Sequence, residues 1–142
     1  MCHRNGNYSI MKIAATVLLM GSIAVAMPAM AQTRAENLTL GTAIYNRDCA
    51  LCHDNSEHML NDNGPALFGV VGRRVASVDG YDYSPALKAA NAKHNRWTYG
   101  RLDKFLTNPA LMYPGTSMPM NFDDPRMRKA ILTYLKTLKS HD

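Results

Sequence analysis

Residues 45–56 read YNRDCALCHDNS, with Cys49 and Cys52 one helical turn apart and His53 directly behind them. Two thiols and an imidazole held this closely admit three uses: a zinc site, a thiol–disulfide switch or a covalent haem anchor. A structural zinc site needs four ligands, commonly from two pairs. The other histidines downstream, His58, His94 and His141, are isolated, and the adjacent Cys52 and His53 side chains diverge. A redox Cys-x-x-Cys usually follows a strand at a helix N-terminus, where the dipole lowers the thiol pKa. Here the pair closes a helical pattern with no strand pattern around it. The haem reading uses every residue of the motif. Cys49 and Cys52 can form thioethers to two neighbouring vinyl groups, and His53 then meets the iron from one face.

The chain ahead of the motif sets its compartment. From Met11 it reads MKIAATVLLMGSIAVAMPAMAQ: a basic start, an apolar run from Ile13 to Met27, then Ala29-Met30-Ala31. This is the layout of a secretory signal peptide, with cleavage expected after Ala31. The competing reading is a retained anchor, since Ile13 to Ala31 nearly spans a bilayer, but Gly21, Ser22 and Pro28 weaken that helix. Residues 1–10 form an extension ahead of a more natural start at Met11, so Cys2 and His3 are expected to leave with the leader. The division is therefore 1–31, extension and signal peptide, and 32–142, one domain in the periplasm. The formal charge of +5 loses Arg4 and Lys12 on cleavage; two fewer than 16 bases against 11 acids leaves +3. That mild excess does not argue for nucleic acid.

The domain reads as all-α. A first helix is expected from about Leu40 to the cysteines, capped by Thr39, with Leu40, Ala43, Ile44 and Leu51 inward. Short helices are expected at SPALKAAN and from Tyr99 to Thr107, stopped by Asn108-Pro109. Asp124 caps a last helix with Pro125 at its first position and Met127, Ile131, Tyr134, Leu135 and Leu138 on one face. Two long connections, DNGPALFGVVGRRV and NPALMYPGTSMPMNFDD, are unusual in so small a domain. A large bound apolar group would organise both and enlarge a marginal core.

Iron built for electron transfer needs a sixth ligand. His58 lies too near His53 to reach the opposite face, His94 sits in a polar run and His141 is terminal. Met118, in YPGTSMPM, is presented between the Pro114-Gly115 turn and Pro119, with Met120 as the second choice. A His/Met pair raises the reduction potential.

On these residues the chain resembles the class I c-type cytochromes, the group shared by mitochondrial cytochrome c and bacterial cytochrome c2-like proteins. The resemblance covers about residues 38–140, with Gly41, Tyr45, Ile131, Tyr134 and Leu135 matching the family's two crossing terminal helices. It implies a single covalent haem c wrapped by long loops, with His53 and Met118 on the metal. It further implies that Pro65 packs on the ligand histidine, with a neighbouring carbonyl accepting the imidazole N–H, and that Leu67 lines the pocket. Arg73, Tyr83, Trp97 and Thr116 are implied near the propionates. Phe105 stands where many members carry a tyrosine that reaches the methionine sulfur, so that bond is expected to be absent. Ser117 replaces a common lysine, and Asp48, Asp54, Glu57 and Asp62 make the attachment surface acidic.

The expected function is a monomeric periplasmic one-electron carrier, not an enzyme, shuttling between redox proteins such as cytochromes, a dehydrogenase or an oxidase. Transient docking on a membrane complex is compatible with this. The alternative is a dedicated haem c subunit or acceptor of a periplasmic dehydrogenase. Lys88, Lys93, Arg96, Arg101, Lys104, Arg126, Arg128 and Lys129 are candidates for basic docking patches.

Overall fold

A computed structural model of the chain describes residues 32–139. The expected export segment, Cys2, His3 and His141 lie outside them. Among the described residues there are five α-helices: α1 (Arg34–Ile44), α2 (Pro85–Ala92), α3 (Tyr99–Thr107), α4 (Pro109–Met112) and α5 (Pro125–Leu135). Among the described residues the single β contact is an isolated antiparallel bridge between Arg74 and Arg96.

Helix α1 starts six residues earlier than Thr39 and Leu40 suggest. Thr33 is its N-cap and forms a reciprocal capping box with Glu36: Glu36 N–H donates to the Thr33 hydroxyl (3.2 Å) and Thr33 N–H to the Glu36 carboxylate (2.8 Å). The helix then widens into a π turn over Tyr45–Cys49, closed by Ala50 N–H donating to the Tyr45 carbonyl. The extra residue in that turn rotates the chain beyond it. Leu51, expected inward, is 70% exposed, while Ile44 and Tyr45 stay buried.

Asp124 caps α5 as expected, accepting from Arg126 N–H at 2.8 Å. Ile131, Tyr134 and Leu135 are buried, with Leu132 beside them, and Met127 and Leu138 pack partly against the core. Helices α1 and α5 cross at Gly41. A β-carbon there would overlap the Ala130 carbonyl and lie 2.9 Å from the Tyr134 β-carbon. Glycine inside a helix costs about 1 kcal/mol relative to alanine, and the close approach of the two helices is what it permits. Beside the crossing, the Tyr45 and Tyr134 rings sit 5.0 Å apart.

The two long connections are more ordered than their sequences suggest. The second contains α4, capped by Asn108, whose side chain accepts from Leu111 N–H at 2.9 Å. The first is laced to the segment before α3. Trp97 N–H donates to the Arg73 carbonyl (2.8 Å), Gly72 N–H to that of Trp97 (2.9 Å), and Val75 N–H to that of Asn95 (2.9 Å). These bonds set Arg73 and Trp97 opposite each other.

Candidate functional site

The π turn delivers Cys49 and Cys52 as free, half-buried thiols. Burial foremost, then the charges of Asp48 and Cys52, pushes the Cys49 thiol up to about 11. A redox-active thiol needs the opposite shift. Among the described residues no three His, Cys, Asp or Glu side chains gather as a metal site.

His53 is held on three sides. Its Nδ1 lies 2.7 Å from the Pro65 carbonyl, its own carbonyl accepts from the Tyr45 hydroxyl at 2.6 Å, and Gly64 lies against the ring. A β-carbon on Gly64 would lie 2.6 Å from Nδ1 and 2.9 Å from Nε2. The loop returns to this position because Gly64 N–H donates to the Cys52 carbonyl (2.7 Å) and Leu67 N–H to that of Asp54 (2.8 Å). Burial lowers the His53 pKa and the Pro65 contact opposes it. A neutral imidazole that donates through Nδ1 keeps Nε2 free as a ligand atom.

The other predicted residues fall around the same core. Leu67 and Met118 are partly buried against it, whereas Met120 is 39% exposed. Exposed positions are also found for His58 and His94. Trp97 and Phe105 are buried with ring centroids 4.9 Å apart. Tyr83 is buried, its hydroxyl accepts from Val78 N–H (3.3 Å), and the Arg73 charge opposes the rise in its pKa that burial causes. Arg73 donates to the carbonyls of Ala66 (2.6 Å) and Phe68 (2.7 Å). No carboxylate pairs with it among the described residues, and its Nε is buried without a partner, as is the Thr116 hydroxyl.

No protein-family model matches the chain. It is 38% identical over 93 residues to cytochrome c-550 of Ancylobacter novellus, covering 65% of this chain and 87% of that one. Cytochrome c2 of Rhodopila globiformis is 39% identical over 101 residues, covering 70% and 91%. Among solved structures, cytochrome cH from Methylobacterium extorquens superposes with a TM-score of 0.61 at 33% identity, covering 70% of this chain and 97% of that one. The chain is a class I cytochrome c.

The cofactor of this cytochrome is one covalent haem c, in keeping with the single Cys-x-x-Cys-His of its sequence. The residues present suit it. Two free thiols stand one turn apart, an imidazole nitrogen is left open, and a buried guanidinium and hydroxyl have unmet bonding capacity where carboxylates would satisfy them. As a cytochrome c it is an electron carrier.

The expected basic patches are thinner than the sequence suggests. Lys88 pairs with Asp82 (2.7 Å), Arg126 with Asp124 (2.9 Å) and Arg128 with Asp103 (2.8 Å). Arg96 and Arg101 donate to the Gly72 carbonyl and the Tyr113 hydroxyl. Around the attachment motif, Leu51 and Leu60 are exposed, and a shallow groove of about 520 Å³ runs past His53 between Asp54, Leu60 and Asp62. Sequence reading missed the Tyr45 hydroxyl as a support of His53. The signal was an aromatic residue eight positions ahead of the histidine, across a turn whose π geometry could not be foreseen.

Proposed function

We propose that this cytochrome is a periplasmic one-electron carrier between redox proteins, with its haem tethered by Cys49 and Cys52 and ligated by His53 and Met118. When bound, the haem supplies the ferrous–ferric couple. Pro65 and Gly64 orient His53, and the loop through Pro114 and Pro119 presents Met118. Arg73, Tyr83, Trp97 and Thr116 hold the propionate side, while Leu67 and Phe105 keep the pocket apolar and exclude water. The observation that carries this reading is the three-sided support of His53, which fixes one ring nitrogen and leaves the other open.

The exposed Leu51 and Leu60 share their segment with Asp54, Glu57 and Asp62, and this mixed surface supports docking on a partner with a basic face. The test of the ligand set is optical. The exported protein should carry covalent haem with a Met–iron charge-transfer band in the ferric state, lost in Met118→Ala and kept in Met120→Ala. A band unaffected by Met118→Ala overturns the assignment. Recovery from the periplasmic fraction with Gln32 at the N-terminus tests the location.

A further inference from the structure

The loop that carries Met118 is fixed at its ends. Pro109 is buried where the loop leaves α3, and Phe122 N–H donates to the Leu106 carbonyl at 2.8 Å where it returns. Between these anchors much of the loop faces outward: Leu111 is 81% exposed, and Pro114, Gly115, Ser117 and Pro119 are exposed as well. Tyr113 is the exception. It is 9% exposed, with its ring 5.9 Å from Phe105 and 6.1 Å from Trp97. Its hydroxyl accepts from the Arg101 guanidinium of α3 at 3.1 Å. Among the described residues this is the single side-chain hydrogen bond joining residues 113–121 to a helix. Beside it a groove of about 340 Å³, lined by Thr98, Gly100, Arg101, Lys104 and Met112, follows the seam between α3 and the loop. The seam there is bridged, not packed shut.

We infer that Tyr113 and Arg101 are positioning residues for the sixth ligand: their hydrogen bond latches the loop onto α3 and keeps Met118 on the iron. The inference rests on the Met118 assignment. Phe105 has no hydroxyl to offer at the neighbouring position, and Tyr113 supplies the one polar group of the aromatic cluster that grips α3. Its backbone continues the same hold, because the Tyr113 carbonyl accepts from Thr116 N–H (3.0 Å) two residues before the methionine. Losing the latch raises the population of open loop, and an added ligand that binds only that form gains apparent affinity in proportion.

The test uses the full ferric holoprotein and imidazole as the probe. Tyr113→Phe keeps the ring and removes the bond; Arg101→Met keeps the apolar stem and removes the donor from the other side. Each should bind imidazole about tenfold more tightly than wild type, the worth of a charge-assisted hydrogen bond, and the double variant no more tightly than either. The charge-transfer band should persist in all without imidazole. A wild type with the band whose variants bind imidazole unchanged, or whose double variant is additive, overturns the latch alone. A wild type without the band overturns the ligand assignment and the latch with it.

Discussion

Gly64 lies flat against the His53 imidazole, so close that any β-carbon would enter the space of the ring. The pair makes a backbone position answerable for the aim of the proposed metal ligand.

Gly64→Ala should push the ring off the Pro65 carbonyl. Overpacking of this kind costs about 1–3 kcal/mol, and the yield of haem-loaded protein should fall, with a perturbed ferric spectrum in what remains. Haem content per chain and the optical spectrum check this; a wild-type yield and spectrum would refute it.

Gly41→Ala tests the helix crossing with opposed expectations. Intrinsic propensity favours alanine by about 1 kcal/mol, but the new methyl meets the Ala130 carbonyl. Overpacking wins, and the variant should unfold at lower urea concentration, by about 1–3 kcal/mol. A stabilised variant would show that the helices do not approach this closely.

Tyr45→Phe removes the hydroxyl that donates to the His53 carbonyl. The ring still packs on Tyr134, so the loss should be near 1 kcal/mol, read in urea unfolding, with the haem spectrum retained.

Acid should weaken the fold through His53. Its folded pKa lies below the ordinary 6.5 because burial disfavours the imidazolium. The unfolded chain therefore binds the proton first. His53 contributes stability in full above pH 6.5 and progressively less as the pH falls toward its folded value. Urea midpoints should drop between pH 7.5 and pH 5.

Salt should weaken partner docking if the acidic attachment face is used. Asp62→Lys should lower affinity for a basic redox partner at low ionic strength and flatten its salt dependence. The same variant should leave the optical spectrum unchanged, since Asp62 is exposed.

The attachment motif and the last helix were legible because each is written in adjacent residues: Cys49, Cys52 and His53 in one turn, Asp124-Pro125 ahead of an apolar stripe. The start of α1 was legible too, in Thr33 and Glu36, but a second threonine nearer the apolar residues drew the boundary to Thr39. Leu51 was misplaced for a different reason. A π turn leaves no mark in a periodicity analysis, and everything after it shifts phase. The contacts least open to sequence reading are those between distant loop residues. Nothing near Tyr113 or Arg101 in the chain announces that one will meet the other, and Arg73 shows its unpaired Nε only once the loop is folded around it.

The crossing at Gly41 and Ala130 joins the beginning of the domain to its end. Such a domain cannot close before α5 has been made, because the surface that its first helix must cover lies on its last one. A chain cut short ahead of Pro125 lacks the helix that buries α1 at Gly41.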